Sequence, residues 1–248
     1  MDRSPWEFRL RSSIAFIIYF TGFYVGYFID HALGGKGIPT FVLLGRHLGH
    51  AGIQIVAEIA AVLGIAGFLI RWWGSSYHQA GVVFSGQIET QTLTASGPYR
   101  FVRNPLYLGN MLQGIGISSL GPPATTVIIL VALTAFLYRL IFLEEAGLRQ
   151  SQGAAYERYC EMVPRLFPRL VPAAMAQSRQ RSNPAYGFVT ELGSFGFAIW
   201  LSYFGFVDPD VQTLTFWRLF YLAIALFLIG GVINRRMSRA ALNRRGDA

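Results

Sequence analysis

Six apolar stretches set the limits on what this 248-residue chain can fold into. They run over Ser12–Ile29, Ala51–Ile70, Leu106–Gly121, Pro122 to about Phe142, Gly187–Val207 and Thr215–Ile233. At 1.5 Å of rise per residue, roughly 20 residues cross the hydrocarbon of a bilayer. Only 14% of the residues are charged, against roughly 25% in an ordinary soluble domain. The chain therefore reads as all-α, a polytopic membrane protein with about six transmembrane helices. The third stretch is short, and Gly121-Pro122-Pro123 joins it to the fourth as a tight helical hairpin.

The charges then orient the helices. The formal charge is +8, and 20 of the 21 basic residues are arginine. A nucleic-acid binder clusters such a surplus on a soluble face; here the arginines flank apolar runs, which points to topology and to anionic membrane lipids, with no nucleic acid. Taking the N-terminus, 71–104, 139–186 and the C-terminus as one side gathers 18 of the basic residues there, leaving Lys36, Arg46 and Arg218 opposite. The positive-inside rule makes that side, and both termini, cytoplasmic. The expected location is a bacterial inner membrane. The first stretch follows a charged start but lacks a small-residue cleavage site, so a cleaved signal peptide is not expected. The single cysteine, Cys160, allows no intramolecular disulfide and no thiolate zinc cluster, and no metal site is expected.

Within the spans, Glu58 is the acid nearest the middle of an apolar run, which makes it a functional candidate unless it merely hydrogen-bonds a neighbour such as Gln54. Ala57, Ala60, Ala61, Gly64 and Gly67 recur on the same span, where small residues let helices approach closely.

Chemistry concentrates at the threshold of the third span, in "SGPYRFVRNPLYLG", Ser96 to Gly109. Gly97-Pro98 and Asn104-Pro105 are turn signals. Asn104 fits a helix N-cap with Pro105 at the first helical position. Arg100 and Arg103 fit interfacial anchors, and Tyr99 and Tyr107 an aromatic belt. Together they also suit a ligand. A helix N-terminus favours an anion, arginine grips a carboxylate, and a tyrosine face attracts a cation. A small molecule with a carboxylate, an aromatic base and a positive centre fits such a place, and S-adenosylmethionine has all three.

After the fourth span comes "YRLIFLEEAGLRQSQGAAYERYCEMVPRLFPRL", Tyr138 to Leu170. Arg139 lies a little over one turn before the pair Glu144-Glu145, whose carboxylates can accept from an ammonium group and from ribose hydroxyls or stand as a solvated acidic pair. Tyr156, Tyr159, Val163 and Leu166 recur at helical spacing, which predicts a cytoplasmic amphipathic segment resting on the membrane.

These two stretches resemble the isoprenylcysteine carboxyl methyltransferase and phospholipid methyltransferase family of integral membrane enzymes. The resemblance covers roughly Gln91 to Pro172 and rests on a long ordered motif, G-x-Y-x-x-x-R-H-P-x-Y-x-G, followed after the hairpin by paired glutamates and Y-x-x-Y-x-x-x-V-P. It implies a cytosol-facing pocket for S-adenosyl-L-methionine and a lipid-accessible side opening for the acceptor. Carried over by position, cofactor contacts fall on Gln91, Thr92, Leu93, Thr94, Tyr99, Arg103, Asn104, Pro105, Leu106, Tyr107, Glu144 and Glu145. The family arginine that contacts the acceptor best corresponds to Arg139. Asn104 stands where the family usually has histidine; asparagine keeps a donor but cannot titrate. The implied organisation is an N-terminal transmembrane part over 1–90, a methyltransferase core over 91–172, and a C-terminal transmembrane pair with a basic tail over 173–248.

The implied reaction transfers a methyl group to a lipophilic small molecule or lipidated substrate through a carboxylate, thiol or amine. An amine acceptor must lose a proton, for which Glu145 or Glu58 is the candidate base. Two other functions fit the pattern less fully. An NADPH-dependent membrane reductase of sterol-reductase type shares the tyrosines and the V-P turn, and a non-catalytic scaffold would explain Asn104.

Overall fold

A computed structural model describes residues 6–77, 94–174 and 182–246. The described residues form helices and turns with no strand. Short α1 (Trp6–Arg9) leads into α2 (Arg11–Ala32); α3 (Thr40–Gly45) and a 3-10 turn lead into α4 (Gly49–Ser75). The hairpin is α5 (Pro105–Ser118) and α6 (Pro123–Gln152), followed by α7 (Ala154–Met162), α8 (Pro184–Thr190), α9 (Leu192–Phe206) and α10 (Leu214–Gly246).

Helices at all six apolar stretches confirm the polytopic α-helical class, with two differences in detail. Four candidate spans, Arg11–Ala32, Thr40–Ser75, Pro123–Gln152 and Leu214–Met237, are long and apolar enough to cross a membrane. The third predicted span, α5, has 14 residues, about 21 Å of helix. The fifth is divided: α8 ends at Thr190 and α9 begins at Leu192, with Glu191 between them.

Neighbouring helices form the order α10, α9, α4, α5, α6, α2. The small residues of α4 make its two contacts close. A Cβ at Gly205 of α9 would collide with the Ala57 carbonyl and the Ala61 Cβ, and one at Gly67 would collide with the Gly109 carbonyl of α5. Such approaches substitute van der Waals contact for the hydrophobic drive that a bilayer does not supply between helices. Around the α4–α9 crossing, Phe41, Ile117, Trp200, Leu201, Phe204 and Phe216 make the main core. A second cluster (Phe8, Tyr107, Leu133, Leu137, Leu140, Ile141 and Leu166) lies where α1, α5 and α6 meet.

At one end of the bundle, the start of α3 sits on the hairpin turn: Thr40 N–H donates to the Gly121 carbonyl at 2.7 Å and Phe41 N–H to that of Ser119 at 3.1 Å. Nearby, Gln54 Nε2 donates to Glu58 Oε1 at 3.2 Å and to the Gly205 carbonyl at 2.7 Å. Glu58 therefore accepts from a residue of its own helix, and the same amide of Gln54 makes the bond to α9. The opposite end collects the start of α2, the end of α4, the threshold of α5, the end of α6 and the start of α8, the segments in which the sequence concentrates arginine.

Candidate active site

The threshold begins as a 3-10 turn over Gly97–Arg100. Gly97 has φ +57 and lies under the Tyr77 ring, where a Cβ would collide. Only glycine takes both the left-handed backbone and the ring at no cost. Segment 163–173 runs alongside and is stitched on by main-chain bonds. Arg103 N–H donates to the Pro164 carbonyl at 2.9 Å, Arg169 N–H to Phe101 at 3.0 Å, and Ala173 N–H to Arg100 at 2.9 Å. The Arg100 guanidinium adds bonds of 3.0 and 2.8 Å to the Ala173 carbonyl. The two polar margins singled out in the sequence are thus brought together.

Asn104 occupies the N-cap position of α5, but its side chain makes no cap hydrogen bond. Its Nδ2 donates instead to the Arg165 carbonyl at 3.0 Å. The predicted cap is correct as a position and differs as a contact: the side chain donates its amide N–H to segment 163–173, and its oxygen does not accept from the free N–H groups of the first helical turn.

Predicted amphipathic residues on and after α7 also find a different surface from the one expected. Tyr156, Tyr159 and Val163 are buried with Ala95 and Ala173, and Leu166 joins the α5–α6 cluster. Their apolar face covers the threshold. Tyr159 Oη donates to the Tyr99 carbonyl at 2.8 Å. Burial pushes the phenols of Tyr99, Tyr156 and Tyr159 well above the usual tyrosine range.

Glu144 and Glu145 separate because adjacent helical residues point about 100° apart. Glu144 faces α5, where its Oε1 accepts from Tyr107 Oη at 2.9 Å. Arg11, at the start of α2, lies near this pair; its NH1 donates to the Phe8 carbonyl at 2.8 Å, and its guanidinium stacks 4.2 Å from the Phe8 ring centroid. Glu145 faces segment 163–173 and is only 1% exposed. Arg165 grips it bidentately at 3.0 and 2.9 Å; Arg103 stands at 3.3 Å and Arg149 at 3.7 Å. The same hydrogen bond to Glu145 holds the Arg165 guanidinium above its ordinary pKa. Glu145 is thus a carboxylate saturated with cations. Arg103 retains a buried Nε with no hydrogen-bond partner.

Other expected residues lie further out. Pro105 and Leu106 face Gly74 at the end of α4. Thr94 is half-buried at the start of the described threshold, and Gln91, Thr92 and Leu93 lie outside the described residues. Arg139 turns away from the glutamates: its side chain is 61% exposed and its guanidinium pairs with Glu7 at 2.6 Å. That pairing holds the Glu7 carboxyl below its usual range. The sequence reading missed Arg11, Arg149 and Arg165 as neighbours of the site. Each reads locally as an interfacial anchor, and only the helix packing assigns its partner.

The fold is that of a polytopic α-helical membrane protein, and one end of its bundle gathers the threshold and the paired glutamates. Residues 50–154, from α4 to the first residue of α7, match the phospholipid methyltransferase family model, in agreement with the resemblance seen in the threshold and the paired glutamates. Two curated bacterial proteins are also similar. The cobalt-zinc-cadmium resistance protein CzcN of Cupriavidus metallidurans is 27% identical over 143 residues, 56% of this chain and 65% of that protein. The nickel-cobalt-cadmium resistance protein NccN of Alcaligenes xylosoxydans is 27% identical over 168 residues, 66% of this chain and 73% of its own length. No solved structure matches the chain.

Proposed function

We propose that this protein is an S-adenosylmethionine-dependent methyltransferase acting on a lipophilic acceptor at the cytoplasmic interface of a bacterial inner membrane, with both termini cytoplasmic. The observation that carries the reading is the Tyr107–Glu144 hydrogen bond at the N-terminal turn of α5, with the unpartnered buried Nε of Arg103 on the threshold just before that helix. A donor for an anion and a carboxylate for a cation, both bordering one helix start, fit the two ends of an amino-acid-like cofactor.

When bound, S-adenosylmethionine supplies a sulfonium methyl group for in-line transfer to a nucleophile. The residues that hold it are Tyr99, Arg103, Asn104, Pro105, Leu106, Tyr107 and Glu144, with the stretch 91–94. Glu144 offers an acceptor to ammonium or hydroxyl, and Arg103 Nε offers a donor to carboxylate. Glu145 holds Arg103 and Arg165 in place and so keeps segment 163–173 closed over the threshold, excluding water. A carboxylate or thiolate acceptor needs no base from this chain; alignment and desolvation are the contribution asked of the protein. The names of CzcN and NccN favour a place in a metal-resistance system for that methylation, with the acceptor a component of that system.

The test is binding of labelled S-adenosylmethionine and of NADPH to the purified protein, then tritiated-methyl transfer on membranes with identification of the labelled product. Binding of NADPH alone would establish the reductase reading, and binding of neither the scaffold. Deletion followed by growth on cobalt, zinc or cadmium tests the physiological placement.

A further inference from the structure

Glu191 lies outside the stretch that matches the family, yet it is as enclosed as Glu145, at 1% exposure. It occupies the break between α8 and α9. Its Oε2 accepts from Arg71 Nε at 2.7 Å, and its Oε1 from Ser75 Oγ at 2.5 Å. From the other edge of the guanidinium, Arg71 NH1 donates to Asn110 Oδ1 at 2.5 Å and to the Leu106 carbonyl at 3.3 Å. The stem of Arg71 lies against Gly109, where a Cβ would collide with it. Hydrogen bonds thus run without interruption from the α8–α9 break, through the end of α4, to the first turns of α5. Leu106 in that turn adjoins Tyr107, whose hydroxyl holds Glu144.

Stability alone does not account for this chain of contacts. A buried ion pair is commonly matched or bettered by apolar side chains of similar volume, so its distinct contribution is where it fixes the charged groups. Arg71 is fixed on both edges, and what it contacts is the helix start that bears the candidate site. The guanidinium stem also fills the space that glycine leaves at position 109, so any shift of Arg71 is transmitted to the backbone of α5.

We propose that Glu191 is a positioning residue for the methyl-donor site: by locking Arg71 it sets the depth and rotation of the first turn of α5, and hence of Tyr107. The proposal rests on the methyltransferase reading above. It makes the break between α8 and α9 part of the enzyme's working core.

The test uses the full-length protein in detergent micelles and S-adenosylhomocysteine as the probe, with affinity per folded molecule read by calorimetry and unfolding temperature read separately. Glu191→Gln is expected to weaken binding about tenfold or more, since a small displacement of a binding group is amplified at a preorganised site. Glu191→Asp is expected to restore most of that loss. In an Arg71→Gln background, adding Glu191→Gln should change affinity by less than about twofold, the non-additivity of residues acting as one unit. A packing role alone would lower the unfolding temperature and leave affinity unchanged, and that result overturns the proposal. Should Glu191→Gln fail to fold, Ser75→Ala removes one donor and carries the test, with a loss of about threefold expected and no change overturning it. If the unaltered protein binds no S-adenosylhomocysteine, the methyltransferase reading fails and the positioning role with it. If it binds and Glu191→Gln binds equally, only the positioning role fails.

Discussion

Replacing Glu145 by glutamine keeps the side-chain shape and removes its charge, so it isolates what the arginine cluster contributes to closing segment 163–173. Of the three cations around it, Arg165 and Arg149 are 33% and 43% exposed while Arg103 is 9% exposed. Losing one partner of a fully buried ion pair costs about 3–5 kcal/mol. Arg165 and Arg149 recover hydration at the surface, and a glutamine oxygen still accepts one hydrogen bond, so the expected cost is nearer ~2 kcal/mol. At 1.4 kcal/mol per factor of ten, that is a roughly 30-fold rise in opening of the segment. The readout is amide hydrogen exchange of Arg103, Arg169 and Ala173, whose N–H groups bridge the two margins. These should exchange about 30-fold faster in Glu145→Gln, with the α4–α9 core unchanged. Unchanged exchange at the three amides would show that the arginines do not close the segment. A uniform rise throughout the protein would show that Glu145 supports the whole fold instead.

Tyr107→Phe removes the hydroxyl that donates to Glu144 and should weaken S-adenosylhomocysteine binding by about three- to thirtyfold, with little change in expression. Gly205→Val places a branched side chain against the Ala57 carbonyl and should destabilise the bundle by about 3 kcal/mol or more, read as a lowered unfolding temperature. Burial raises the pKa of Tyr99, Tyr156 and Tyr159. Their contribution to stability is therefore present below the unfolded value of about 10 and is lost as pH rises through the folded values. Tyrosinate absorbance should lag behind that of the unfolded protein above about pH 10, and a simultaneous rise would contradict their burial.

Which parts of this molecule were readable in advance follows from what local sequence encodes. The hairpin was: apolar length and Gly121-Pro122-Pro123 place it, and α5 begins at Pro105, next to the first residue of the predicted span. The arginine distribution put the threshold and the stretch after the hairpin on one side of the membrane, and the structure shows that they are joined there by main-chain bonds. The break at Glu191 was not readable, because Arg71, 120 residues away, supplies the partner that stabilises a carboxylate there. Helical spacing grouped Tyr156, Tyr159 and Val163 correctly, but α7 ends at Met162 and Leu166 packs on the hairpin instead, and spacing does not distinguish a bilayer from a protein surface as what covers them. The side chain of Asn104 was diverted by a carbonyl from another segment, and Arg139 by Glu7. Each divergence comes from a long-range polar partner, the kind of contact that a hydropathy pattern does not carry.

The seam that joins 97–104 to 163–173 is made largely of amides and carbonyls, and the outward side chains Phe167, Leu170 and Val171 stand exposed along it. Substitutions at those outer positions therefore leave the main-chain bonds beneath them in place. A fastening made of main chain leaves its outer surface free to vary without loosening what it holds shut.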